Sequence, residues 1–452
     1  MSEKKLLVGY GRVEITPNYS LPLAGYGNTM TRMSQGCLDG LFATCIAMTG
    51  ENGETVLAIT VDVCATFTAM TEPLLTSISS ATGVPAEHIM VSATHTHSGP
   101  DILSEYDNNM STWKKDYIGG ITAAAVAAMA DRRPAGLLLG DVQAKGMNFV
   151  RHVILGNGTY AGDNFGDFGS APIVGYATQA DSQVQIVRFV REGERDVVLV
   201  NFQAHPKMAS TIATKKGRST RGFISADYIA PLRRWVEEQT GTLFAFFQGA
   251  AGNLNPISHI KADTPTTDYL EYGKMLGEIV VGALNGLHEA EIGEVKAKRT
   301  AFVGKMDHSE NCMVEDARRI KALWEETNDY KRCAAEGKPF GIISPYHALA
   351  IVRRFEDPET ERAIPVTAAG IGALGFVTAP YEMFDTNGKF VKEHSPCEMT
   401  FILSCTNGSN GYIASEPAFE YGSYEVHNRV FVRGTGEELA NTMVDMLGDV
   451  KC

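Results

Sequence analysis

Apolar and polar positions follow two periods along this chain, and the changes of period predict its elements. Residues 43–48 and 55–63 read as strands joined by the turn Gly50-Glu51-Asn52-Gly53. Helical periodicity runs over 70–82, and Val84-Pro85-Ala86 leads from it into a strand at 89–93. An Ala-rich helix is expected over 117–129, then strands over 136–144 and 183–189. The unbroken apolar runs 197–202 and 243–247 are typical of strands buried on both faces. Between them, 226–239 reads as a helix with Ser225 as its N-cap. Further on, 272–287 is helical, and 311–336 is a long, charged helical stretch expected to be a solvated excursion. A strand at 371–378 passes directly into a helix at 383–393, and a strand at 400–404 precedes the closing helix at 437–446.

This alternation predicts an α/β fold, with central mixed β-sheets flanked by outer helices. There is no internal repeat and no linker that would split the chain. The expectation is therefore one domain over residues 1–452, with the charged excursion at about 305–340. The Gly-rich segment 156–175 reads as a long loop, and long loops often act as lids or rims.

Composition narrows the function classes. The 452 residues are 44% hydrophobic and 21% charged, enough for a large core. The formal charge of −13 and the lack of a basic stripe argue against nucleic acid as partner. The N-terminal run after Met1-Ser2-Glu3-Lys4-Lys5 is too short for a signal core and is broken by Gly9 and Gly11. No window is long and apolar enough for a membrane span, so no membrane anchor is expected. The 8 cysteines show no CxxC pairing and read as reduced thiols of a cytoplasmic protein. Self-association into a homo-oligomer is left open.

Candidate chemistry sits at strand ends. His95 and His97 follow the strand at 89–93, and a spacing of two puts both on one face if the strand continues. His205 follows the buried strand at 197–202, just before Pro206. Glu382 stands where a strand turns into a helix, a position that favours a carboxylate. Two histidines and a glutamate would suit a catalytic zinc with an open position. Each has a plainer reading too: polar turn residues, a structural histidine, or helix-start electrostatics. Two small-residue segments also follow strands: Phe247-Gln248-Gly249-Ala250-Ala251-Gly252-Asn253 and Thr406-Asn407-Gly408-Ser409-Asn410-Gly411-Tyr412. His88, His259, His288, His308 and His347 suggest only surface or core roles.

Taken together, these segments resemble the catalytic domain of the neutral/alkaline (non-lysosomal) ceramidase family. Gly11-Arg12-Val13-Glu14-Ile15-Thr16-Pro17 looks like the family's opening, with Glu for Asp, and Ala24-Gly25-Tyr26 like its glycine-tyrosine turn. Thr94-His95-Thr96-His97-Ser98-Gly99-Pro100 matches its most specific motif. The likeness runs in order from about residue 8 to about residue 445. It implies one zinc ion held by His95, His205, Glu382 and Tyr412, the last in Asn410-Gly411-Tyr412-Ile413. It also implies that His97, Tyr424 and Arg151 meet the substrate carbonyl, and that Gly249, Ala250 and Asn253 belong to a substrate-binding segment. The family's serine in that segment is replaced here by Gly249, and Asp101-Ile102 stands where the motif usually continues Gly-Gly. A C-terminal immunoglobulin-like domain, present in full-length family members, is not expected within these residues.

The resulting expectation is a zinc-dependent amidohydrolase acting on a small N-acyl compound. Zinc would lower the pKa of a bound water, and His97, Arg151 and Tyr424 would stabilise the developing oxyanion, at roughly 3–4 kcal/mol per well-placed donor. An ester or lactone substrate, or a non-catalytic binding protein on the same fold, are the alternatives.

Overall fold

The computed structural model describes residues 6–26, 32–102, 108–211 and 220–451. The segment 1–5 and Cys452 lie outside the described residues. The alternating face of each strand decides what it packs on. In Phe42–Thr49, Ala43, Cys45 and Ala47 turn toward a layer made by the helices Thr68–Thr82 and Asn108–Ala130, while Ile46 and Met48 turn toward a second sheet. Both faces are covered, which is why these strands read as continuous apolar runs.

The large sheet has nine strands. Its order is Leu243–Gln248, Val197–Phe202, Gln183–Arg191, Arg133–Gln143, Leu6–Glu14, Phe42–Thr49, Thr55–Val61 and Ile89–Ala93, with His288–Glu289 added alongside Arg133–Gln143. The outermost pair at each end is parallel and the pairs between are antiparallel. The sheet curls, so that the edge strand Leu243–Gln248 comes back over its middle: Thr60 Oγ1 donates to the Phe246 carbonyl at 2.6 Å, and Arg12 Nη2 to the Phe244 carbonyl at 2.8 Å. Gly9 and Gly11 sit within Leu6–Glu14, where a Cβ would strike the Ala128 and Ala124 carbonyls of the long helix. Their place is thus set by close helix approach.

A second sheet runs Val295–Lys305, Glu361–Ile371, Leu374–Thr378, Met399–Leu403, and its last pair is again parallel. Asn407 stitches the sheets together. Its side-chain oxygen accepts from Val91 N at 2.9 Å and its Nδ2 donates to the Ile89 carbonyl at 2.9 Å. Asn201 adds another stitch, donating to Phe247 and Ile402 carbonyls. The C-terminal ends of three parallel pairs are thereby brought to one place.

Mixed sheets with outer helices are as expected, and several local readings are corrected. Ser225 is not an N-cap: the helix is Ile229–Thr240, and the Ser225 hydroxyl donates instead to Asp39 at 2.6 Å. The strand expected at 371–378 is two strands, broken by a turn at Gly372 with φ +57°. The charged stretch is likewise split. Val314–Thr327 ends at Asn328 in the left-handed region, and Asp329 caps Tyr330–Gly337 by accepting from Arg332 N. Its inner face is not solvated, since Ala317, Ile320 and Cys333 pack with Ile342, Ala348 and Ile351 of a following segment that includes the helix Pro345–Glu356. The 156–175 region holds strand structure, with Tyr160–Gly162 and Ile173–Tyr176 flanking His152–Leu155. Among the described residues no helix is long and apolar enough to cross a membrane, and the described cysteines are free thiols.

Candidate metal centre

His95 follows the strand Ile89–Ala93 but does not continue it. Its φ is +69°, and its amide donates to the Val63 carbonyl at 2.9 Å, so the chain turns sharply at this residue. A non-glycine residue in the left-handed region carries local strain that the surrounding structure must hold. His95 and His97 therefore share a cavity because of a turn, and not because of strand alternation. Gly25, at φ +96°, makes room for His97: a Cβ there would lie 2.4 Å from the imidazole ring. Arg32 clamps the same turn by donating to the carbonyls of Ala24 and His97, both at 2.9 Å.

The two histidines expected as ligands are oriented by their far nitrogens. His95 Nδ1 donates to the Cys64 carbonyl at 2.7 Å, and His205 Nδ1 donates to the Ala251 carbonyl at 2.8 Å. Each ring then presents the Nε2 lone pair inward. Those atoms converge with Glu382 Oε2: the separations are 3.2 Å between the two Nε2, 3.3 Å from His95 and 3.0 Å from His205 to the carboxylate. Three acceptors this close need either a proton or a cation among them. Around a tetrahedral zinc with bonds of about 2.0–2.1 Å, neighbouring ligand atoms stand roughly 3.3 Å apart, so the donor set fits such an ion. A rival grouping of Cys64, His95 and His97 shares His95, whose Nδ1, 4.0 Å from Cys64 Sγ, is already committed to the Cys64 carbonyl.

Titration directions follow from the same crowding. Burial opposes charge on Glu382, but His95 and His205 outweigh it and hold the carboxyl well below its usual range. Burial also opposes charge on His95, yet Glu382, with the Cys405 and Cys64 thiols behind, raises it. His205 is pushed down to about 4 by burial and by Arg151. His97 is pushed well down by burial and by the other two histidines.

Glu382 does not lie at a helix start. It belongs to the short strand Glu382–Met383, paired in parallel with Tyr412–Ile413, and the helix begins at Asp385. Main-chain pairing thus places Tyr412 beside Glu382, and both line one cavity with His95 and His97. Tyr424 lines it too, its ring 5.8 Å from that of Tyr412. Arg151 lies behind, 5.7 Å from the Tyr412 ring centre, held by the Gly252 carbonyl and paired to Glu425 at 2.8 Å.

The small-residue segment divides. Gly249 borders a narrow space beside His95, His205 and Glu382. A Cβ on Gly249 would come within 2.7 Å of Gln203 Oε1, so Gln203 fills the room a serine side chain would need. Ala250 and Asn253 do not border either space: Ala250 packs in the core, and both amide atoms of Asn253 are taken by Asp385, at 2.7 and 2.9 Å. Gly252 has the strictest role. Its amide donates to Met383 at 2.8 Å, and a Cβ would lie 2.6 Å from the Glu382 carbonyl. Gly252→Ala should therefore displace Glu382 and weaken the binding of a metal held by this cluster by about 10- to 100-fold, the usual scale for disturbing a ligand's support. Competition with a chromogenic chelator measures this, and an unchanged affinity would remove Glu382 from the ligand set.

Sequence reading gave no sign of Cys64 and Cys405 beside His95, with Cys405 Sγ 3.6 Å from Nδ1. Nor did it flag a second cluster, Glu310, His347 and His427. There Arg354 and Arg429 already neutralise Glu310, and His347 Nδ1 accepts from Ile343 N, leaving Nε2 to donate to Glu310 at 3.3 Å. That cluster is built as an ion-pair network.

No protein-family profile matches the chain. Over 182 residues it is 26% identical to the neutral ceramidase of Pseudomonas aeruginosa, a stretch covering 38% of this chain and only 25% of that protein. In structure it is similar to a crystal structure of neutral ceramidase from Pseudomonas aeruginosa, with a TM-score of 0.72 and 16% identity, covering 99% of this chain and 74% of the other. A ceramidase complexed with C2 matches with a TM-score of 0.70 and 16% identity, over 98% of this chain and 75% of that one. The chain carries the neutral ceramidase fold, as the motifs had suggested.

Proposed function

We propose that this protein is a zinc-dependent hydrolase that cleaves the amide bond of a small N-acyl compound. The observation that carries the reading is the convergence of His95 Nε2, His205 Nε2 and Glu382 Oε2 within 3.0–3.3 Å, with both Nδ1 atoms spent on carbonyls. Tyr412, paired to Glu382, is the proposed fourth ligand. When bound there, zinc supplies a Lewis acid and lowers the pKa of a coordinated water. His97 is a neutral imidazole whose Nε2 lies 3.5 Å from His95 Nε2, placed to exchange a proton or hydrogen bond with the substrate amide. Burial raises the Tyr424 phenol, so it stays protonated and can donate into the cavity. Arg151 acts from behind Tyr412 through its charge, in place of the direct contact its motif implied. None of these roles calls for the serine that Gly249 replaces.

The test is hydrolysis of a panel of N-acyl amides and matched esters by the protein as purified, after chelation, and after zinc is restored. Amide cleavage that chelation abolishes and zinc restores is the expected result. Ester cleavage alone would change the bond. Binding without cleavage of anything by the zinc-loaded protein would overturn the enzyme reading.

A further inference from the structure

The cavity that holds His95, His97 and Glu382 has a volume of about 590 Å³, within the usual range for small-molecule sites. Its walls also include Arg353, Arg354, Arg362 and Arg429, brought there from three separate stretches of chain. Arginines near a helix C-terminus or on a strand are ordinarily solvated surface charges. Convergence of four on the cavity that includes the candidate metal centre, where only Asp357 and Glu382 supply carboxylates to the lining, is not explained that way. The chain as a whole has a formal charge of −13, so general basicity does not explain it either.

The arginines have unequal tasks. Arg354 donates to the His427 and Arg429 carbonyls and is paired with Glu310. Arg429 is paired with Asp307 and donates to the Val426 carbonyl. Both are fixed charges that brace the wall. Arg362 is half-tied: Nε is 2.8 Å from Glu359 and Nη2 is paired with Asp357, while neither pair uses Nη1. Arg353 is exposed, lines the cavity, and makes no ion pair among the described residues. The apolar part of the lining is mostly aromatic, Phe67 and the rings of Tyr26, Tyr346, Tyr412 and Tyr424, with only Ala65, Met306 and Val430 as aliphatic side chains.

We propose that the substrate carries an anionic group, a carboxylate in its simplest form, and that Arg353 and Arg362 bind it while the amide lies at the metal centre. This deepens the hydrolase reading and rests on it for turnover, though not for binding. Charge-assisted hydrogen bonds from guanidinium to carboxylate supply the recognition. The carboxylate could sit on the amine side, as in an N-acyl amino acid, or on the acyl side.

The experiment uses the full, zinc-loaded chain with N-hexanoylglycine, its neutral methylamide, N-methylsuccinamate, and a long-chain neutral N-acyl amide. Turnover and calorimetric binding are both recorded for parent, Arg353→Ala, Arg353→Lys and Arg362→Lys. The expected result is preference for one of the two carboxylates, which names the side that bears it. Arg353→Ala should cut the ratio of anionic to neutral kcat/KM, or of their binding constants, by about 10- to 100-fold, with Arg353→Lys in between. A parent that prefers either neutral amide, binds neither carboxylate, or keeps its preference in Arg353→Ala overturns the proposal. Arginine-dependent binding of a carboxylate without cleavage would instead uphold it and sink the hydrolase reading.

Discussion

With the proposed zinc centre, His205→Ala should leave the chain folded, empty of zinc and about a thousandfold less active in the proposed hydrolysis. The imidazole is buried, and both its ends are committed: Nδ1 to the Ala251 carbonyl, Nε2 to the cluster with His95 and Glu382. Losing the Lewis acid forfeits several kcal/mol of transition-state stabilisation, and at 1.36 kcal/mol per decade about 4 kcal/mol is roughly a thousandfold. His97→Ala supplies the contrast. It should keep about one zinc per chain, because His97 belongs to the rival grouping and not to the one proposed. Elemental analysis of the two variants decides between them. Zinc retained in His205→Ala but lost in His97→Ala would move the metal to the Cys64, His95 and His97 grouping.

A second large effect is expected from Glu425→Gln, on stability. Glu425 is fully buried, with Arg151 Nε 2.8 Å from one oxygen and His152 Nε2 2.8 Å from the other. Burial opposes its charge, but Arg151 and His152 together hold its carboxyl at about 2. Neutralising it leaves the buried Arg151 guanidinium with only the more distant Asp163, at 4.0 Å, as a carboxylate partner, and breaking a buried pair costs about 3 kcal/mol or more. The pH dependence has a definite sign. The folded-state pKa is below the unfolded value of 4.5, so the stabilisation is complete above about pH 4.5 and is lost as pH falls toward 2. Glu310, also held at about 2 despite burial, by His347, Arg429 and Arg354, adds to the same acid window. Denaturant unfolding at pH 7 and pH 3 measures both effects. A variant as stable as the parent at pH 7, with the same acid sensitivity, would show that Glu425 is not the keystone of the Arg151 side of the site.

Much of the local structure was legible from the chain. The runs 197–202 and 89–93 coincide with strands, because burial on both faces leaves no polar alternation to mislead the reading. Two of its failures come down to one turn each. Gly372 at φ +57° makes a hairpin out of an apolar run, and Asn328 at φ +50° divides one charged helix into two. Neither interrupts the apolar pattern strongly enough to be seen in advance. The 156–175 region was misread for a related reason: short strands rich in glycine and polar residues draw their stability from neighbours that the local sequence does not name.

The sequence by itself determined that His95 and His205 stand just beyond strand ends, since strand periodicity and glycine- or proline-marked turns are local properties; the short strand that holds Glu382 was not visible in it. It also determined, through motif likeness, the fold in which they stand. Tertiary structure alone decided that they meet. That depends on the curl returning Leu243–Gln248 toward Thr55–Val61, and on Asn407 and Asn201 tying one sheet to the other. It decided as well which nitrogen each histidine offers, which arginines share the cavity, and that Asn253 is hydrogen-bonded to Asp385. Those outcomes are set by partners far away along the chain, and hydrogen-bond commitment becomes definite only when packing has chosen the partners.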